Sequence, residues 1–173
     1  MGGEISMGGE ISMGGEIRIR WARSPEDLSG ALALREEVFC REQGVPRADE
    51  IDGLDDAALH LVALEPGDAG RVIGTLRLLL DDELARIGRV AVQRDQRRRG
   101  LASRMLEMAL DAAREHGCVE ARLAAQTVAS ALYERAGFTV DSDPFEEAGM
   151  EHVWMGLVLQ ERDAADGKGG ARP

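Results

Sequence analysis

The sequence predicts an α/β (α+β layered) domain, a mixed sheet with helices packed on it. Three observations lead there. Short runs alternate apolar and polar residues, as half-buried strands do. Two short breaks, PGDAG and DD, join three such runs into an antiparallel meander. Other stretches place apolar residues at helical spacing, most regularly in LASRMLEMALDAAREHG, Leu101–Gly117.

The elements follow in order. EIRIRWA (Glu16–Ala22) alternates and reads as a strand. Ser24-Pro25-Glu26-Asp27 then starts a helix, with Ser as N-cap, Pro in the first position and acids in the first turn. Leu28, Leu32, Arg35, Val38 and Phe39 recur along it at helical spacing, and Gly44 and Pro46 end it. PRADEIDGLDDA is a polar loop. The meander comprises Leu59–Leu64, Arg71–Leu80 and Glu83–Val92. The helix from Leu101 stops at Gly117, a C-terminal glycine. VEARLAA is a strand, TVASALYERAG a short helix capped by Thr127, FTV a short strand and MEHVWMGLVLQ a last strand. The hexapeptide copies MGGEIS, MGGEIS and MGGEIR are too short for a solenoid unit. Residues 1–14 are therefore expected as a disordered tail and the Gly-rich residues 161–173 as another. A single domain is left at 15–160.

Composition narrows the function. Hydrophobic residues make up 44% and charged residues 31%, as in soluble globular proteins. No apolar run approaches a membrane span and no signal pattern opens the chain, so a cytoplasmic location is expected. The net charge of −11 argues against a nucleic-acid or anionic-membrane partner. Cys40 and Cys118 form no CxxC, and His60, His116 and His152 show no ligand spacing; reduced thiols and no metal are expected.

Against that acidity, RDQRRRG (Arg94–Gly100) gathers four arginines between the strand RVAV and the first turn of an amphipathic helix. Unpaired N–H groups and the helix dipole make such a junction favourable for phosphate. Gly100 admits a ligand to the backbone, and Arg97, Arg98 and Arg99 add charge. The segment lacks the Lys-Ser/Thr of a Walker loop and the three glycines of a dinucleotide fingerprint. Taken alone, it is also compatible with a solvated basic turn.

The run Arg97-Arg98-Arg99-Gly100-Leu101-Ala102 resembles the R/Q-x-x-G-x-G/A pattern of the GNAT superfamily of N-acetyltransferases. AxxLYERAGF (Ala129–Phe138) resembles that family's later motif, and RVAV its splayed central strand. Leu34–Ala63, AAQTVASALYERAGF and Pro144–Met155 are similar to the ElaA-like branch, so the resemblance runs from about Ile17 to Leu159. It implies a mostly antiparallel central sheet of six to seven strands with helices on both faces. It also implies acetyl-CoA as co-substrate, a primary amine as acceptor and direct transfer without an acyl-enzyme on Cys40 or Cys118. A homodimer is compatible with it.

The resemblance assigns the donor side to Val90, Ala91 and Val92, whose backbone would pair with the pantetheine arm, and to Arg97–Ala102 with Ser103, which would hold the pyrophosphate. Gln126 stands near where many members carry Asn for a pantetheine contact. Tyr133 takes the position of the family's active-site tyrosine, which gives a proton to the departing thiolate. On the acceptor side Glu42, Glu50 and His60 are the expected catalytic groups, and the acidic loop is expected to make that side of the cleft negative. Two other readings stay open. One is a non-catalytic acetyl-CoA-binding regulator, which would not need Tyr133. The other is a synthase similar to those making acyl-homoserine lactones, suggested by Glu50-x-Asp52-x-x-Asp55 with His60.

Overall fold

In the computed structural model, residues 9–13, 17–67 and 70–159 are described. One nine-stranded sheet runs β1-β2-β3-β4-β5-β6-β9-β7, with β8 also on β9. The meander forms where the sequence places it: β3 (Leu59–Leu64), β4 (Val72–Asp81) and β5 (Leu84–Val92) pair antiparallel. β2 (Ile17–Trp21) lies beside β3. β6 (Glu120–Gln126) and β9 (Met150–Val158) form a long antiparallel pair, and β7 (Thr139–Val140) and β8 (Phe145–Glu147) flank β9. β5 and β6 are the parallel pair at the centre.

Two strands exceed the expected number. β1 (Glu10–Met13) comes from the hexapeptide repeat and pairs with β2, so the N-terminal tail expected over 1–14 is corrected at these four residues. Glycine-rich flanks suggested coil, but Ile11 and Met13 pack against the apolar core and hold the pairing. The rest of that tail, and residues 161–173, lie outside the described residues. β8 enters through a two-residue hairpin turn, Ala148-Gly149, with φ of 50° and 75°.

The helices cover both faces. α1 (Pro25–Arg35) is capped as its sequence predicts, Asp27 N–H donating to Ser24 Oγ at 3.2 Å. Its buried stripe is Asp27, Ala31, Leu34 and Arg35, whereas Leu28 and Leu32 are only half-buried. Gly30 lets it sit close on the sheet, because a Cβ there would come within 2.6 Å of Val72 Cγ2. A π-helical turn, Glu36–Glu42, continues it. The polar loop contains a short helix, α2 (Arg47–Glu50). On the other face α3 (Leu101–His116) buries Leu101, Met105, Leu106, Ala109 and Ala113 and ends at Gly117 with φ of 95°. α4 (Ser130–Arg135) follows β6, but Thr127 does not cap it: its hydroxyl donates to Glu151 O.

Candidate active site

The site is a gap in the sheet. β5 and β6 are in register for only three residues, Leu84–Arg86 against Glu120–Arg122. Beyond that they separate, and each leans on its outer neighbour, β5 on β4 and β6 on β9. The separation coincides with a bulge. Thr75 faces Ala91 and Arg77 faces Gly88, so β5 carries one extra residue, and Arg89 adopts φ of 52° there. Gln93 N–H donates to Ile73 O at 2.9 Å. Strand alternation then turns the backbone groups of Val92 and Val90 away from β4 and toward the gap. Ala91 faces the other way and is buried against α1.

A cavity of about 900 Å³ occupies this gap. Val90, Ala91, Val92, Arg97, Gln126 and Tyr133 all line it. Gln126 Nε2 donates to Gln43 Oε1 at 2.9 Å, which bridges β6 to the chain after the π-turn. Tyr133 is 8% exposed, edge-on to Phe138 at 6.2 Å. Its hydroxyl has no hydrogen-bond partner among the described residues, and burial pushes its pKa up to about 12. The phenol is therefore protonated throughout the physiological range.

The arginine segment lies at one end of the gap. Arg98 has φ of 61° and Gly100 φ of 80°, so two left-handed residues flank Arg99 before the helix. Gly100 is the N-cap of α3 and supplies no side-chain acceptor. The first-turn N–H groups at Leu101, Ala102 and Ser103 thus keep their hydrogen-bonding capacity for an anion. The arginines divide the work. Arg97 is structural at its base: Nε donates to Val92 O at 2.9 Å and Nη2 to Glu42 Oε2 at 2.8 Å. Arg99 donates to Gln96 Oε1. Arg98 is exposed and has no polar partner among the described residues, so its charge is available to a phosphate. A CoA diphosphate fits this donor set: backbone N–H groups at a helix start, a glycine that leaves the approach open and one free guanidinium.

Three residues expected on the acceptor side are placed in other roles. Glu42 is held by Arg97, with Arg94 at 3.8 Å, and braces the arginine loop. Glu50 reaches the cavity wall, but its carboxylate is 2.5 Å from Arg35 Nε and 3.4 Å from Arg89 Nε. His60 is buried outside the cavity lining, its Nε2 3.0 Å from Asp55 O. The reason is a network that sequence inspection missed. Arg35, Arg77 and Arg89 thread the acidic loop, binding Glu50, Asp52 and Asp55 at 2.5 to 3.4 Å. Arg89 also donates to the Glu50 carbonyl at 2.9 Å, which pins the loop onto the bulge. Arg77 holds the Asp52 carboxyl well below the usual carboxylate range. Burial alone raises Asp55, but Arg35 and Arg77 outweigh it and its shift is also downward. The loop is thus an ion-paired wall rather than a negative surface. Arg77, Arg86, Arg89, Arg97 and Arg122 line the cavity against Asp49, Glu50 and Glu147, which corrects the expectation of a negative cleft.

Backbone strain gathers at the same place. Among the described residues, three non-glycine residues have positive φ: Arg89 at the bulge and Ala148, both in the cavity lining, and Arg98 in the loop beside Arg97. Each costs on the order of 1–3 kcal/mol and persists where surrounding structure enforces it. Among the described residues no cluster of His, Cys, Asp and Glu has the geometry to hold a metal ion. None of their helices is long and apolar enough to cross a membrane.

Comparison with known proteins agrees with this geometry. The Bacillus subtilis protein named uncharacterized N-acetyltransferase YjcF is 33% identical over 135 residues, 78% of this chain and 94% of its own length. The crystal structure of Escherichia coli ElaA superposes with a TM-score of 0.68 at 28% identity, covering 80% of this chain and 98% of that one. YncA from Salmonella typhimurium, solved with its cofactor acetyl-CoA, shares the fold with a TM-score of 0.65 at 19% identity, covering 88% and 99%. Residues 30–159 match the family model described as an acetyltransferase (GNAT) domain. The split sheet, the glycine-started helix and these likenesses agree, and the chain belongs to the GNAT family of acetyltransferases, similar to ElaA.

Proposed function

We propose that the protein transfers an acetyl group from acetyl-CoA directly to a primary amine. The observation that carries this reading is the gap between β5 and β6, with Val90 and Val92 backbone on one side and Tyr133 on the other, ending at the Gly100 helix start. The backbone of β5 that faces the gap suits the amides of a pantetheine arm, which would add to the sheet as a strand; Val92 O already accepts from Arg97 Nε, which leaves the Val90 groups and the Val92 N–H for it. Acetyl-CoA brings an activated acyl group as a thioester; the chain's residues bind, orient and protonate. The N–H of Val92 is the candidate donor to the oxygen that gains charge.

Tyr133 acts on the sulfur. With its pKa raised to about 12, the phenol is a weaker acid than a free thiol of about 8.5. Its hydrogen bond to the departing sulfur therefore stabilises developing charge first, and the proton follows only in this dry wall, where burial raises the thiol's proton affinity too. A regulator that merely binds acetyl-CoA has no use for an unpartnered phenol at that point. An acyl-homoserine-lactone-type reading loses its main support, because Glu50, Asp52, Asp55 and His60 are engaged in the arginine network or buried beside it.

Calorimetry with acetyl-CoA and release of CoA thiol over a panel of amines test the reading. Acetyl-CoA binds and at least one amine is acetylated; absence of acetyl-CoA binding to the native protein refutes it. Tyr133→Phe retains binding and lowers kcat by about 100-fold or more. An unchanged kcat removes Tyr133 from the mechanism.

A further inference from the structure

We infer that His152 is the general base that takes the proton from the incoming amine; the inference rests on the acetyltransferase reading above. His152 lies on β9, is 8% exposed and lines the cavity with Tyr133, Val90 and Gln126. It is the direct cross-strand partner of Gln126, the last residue of β6 before the chain turns toward α4. Its Nδ1 is 2.9 Å from Met150 O. A carbonyl only accepts, so Nδ1 carries the hydrogen and Nε2 is left with its lone pair. The ring is fixed from its side by Phe145, stacked at 5.9 Å and 24°. Phe145 also stacks on Trp154 at 5.7 Å, so the imidazole sits in an aromatic frame rather than swinging free. Nε2 has no protein partner among the described residues, and it is not one of the buried atoms left without a hydrogen bond. Fixed tautomer, fixed ring and an open lone pair on the cavity wall describe a base in waiting.

The contrast with His60 sharpens the assignment. His60 uses Nε2 on Asp55 O and leaves Nδ1 buried without a partner among the described residues, outside the cavity lining. Of the carboxylates that reach the cavity, Glu50 is held by two arginines, and Asp49 and Glu147 are exposed to solvent, whereas His152 is buried in the wall. The charged groups that line the cavity with His152 are Asp49 and Glu50 of α2, Arg77 of β4, Arg86 and Arg89 of β5, Arg97, Arg122 of β6 and Glu147 of β8.

The step balances as follows. Nε2 takes one proton from the substrate ammonium and later releases it to solvent. The free amine nitrogen forms a bond to the acyl carbon and the carbon–sulfur bond breaks. Tyr133 gives its hydroxyl proton to the sulfur and regains one from the new amide nitrogen. One proton is released per acetyl group transferred. The substrate class is an amine that arrives protonated.

His152→Asn tests this. The Asn side-chain amide can still donate to Met150 O but has no lone pair in place of Nε2. The expected result is a fall in kcat of about 100-fold or more with an alkylamine acceptor. The acidic limb of the pH profile of kcat/KM is also lost, while acetyl-CoA affinity and thermal midpoint hold. An aniline-type acceptor, already uncharged near pH 7, loses less than a tenth of that factor. His152→Ala regains activity with added imidazole. If the native protein binds acetyl-CoA and acetylates amines but His152→Asn stays within threefold and keeps the acidic limb, His152 is structural and this inference is overturned. If the native protein binds no acetyl-CoA, the acetyltransferase reading itself fails.

Discussion

Arg35→Met isolates the arginine network that holds the acidic loop. Arg35 is fully buried and its guanidinium meets Glu50 at 2.5 Å and Asp55 at 2.6 and 3.1 Å. Removing one member of a buried ion pair typically costs 3–5 kcal/mol, because the remaining charge is left without compensation. Here each carboxylate keeps a second arginine, Arg89 for Glu50 at 3.4 Å and Arg77 for Asp55 at 3.1 Å. The lower end of the range, about 3 kcal/mol, is therefore expected. For a domain of this size that is a drop in Tm of about 6–12 °C. Urea unfolding and scanning calorimetry read it directly. Adding Glu50→Gln and Asp55→Asn to Arg35→Met removes the two stranded charges, leaves Asp52 to serve Arg77 and Arg89, and recovers at least 1 kcal/mol. A single substitution costing less than 1 kcal/mol, or a triple variant no more stable than the single one, refutes the account of the network.

The donor side and the pH response give two further tests. Arg98→Ala weakens acetyl-CoA binding about tenfold, the size of one charge-assisted hydrogen bond, whereas Gly100→Glu abolishes binding in calorimetry because it forces a side chain onto φ of 80° and sets a negative charge at the helix start. Asp52 and Asp55 have folded-state pKa values below their unfolded ones, so their stabilisation is fully present above about pH 4 and is lost as pH falls through the lower folded values; the urea midpoint should be flat from pH 7 to about 5 and fall steeply below 4, and Arg77→Gln should flatten that fall.

Local features were legible in the sequence. The Ser24 cap, the Gly117 stop and the three meander strands stand within a residue or so of where periodicity sets them, because each depends on neighbours a few residues apart. The turn that starts α3 was legible for the same reason, since Gly100 and the arginines are contiguous with that helix. The arginine network was not, because its pairs join residues 15, 25 and 39 positions apart and isolated charges read as solvated. Two signs were available. Arg35 sits within an apolar helical stripe, and Arg89 interrupts the apolar run of β5. β1 was missed because glycine-rich flanks conceal a strand whose stability comes from its partner and from α3 beneath it. The sequence offered both His60 and His152 as histidines that could face the cleft; pairing with Gln126 and a place in the cavity lining single out His152.

The three-residue parallel contact between β5 and β6 has an evolutionary corollary. Main-chain amides define the proposed cradle for the CoA arm, and main-chain amides are the same whatever side chains mutate around them. Residues such as Leu54 and Val128, which are exposed on the cavity lining, can drift without touching that cradle. A scaffold divided in this way keeps one currency of acyl group while its choice of recipient is revised by single substitutions. Repertoires of recipients would then diversify faster among relatives than the fold itself.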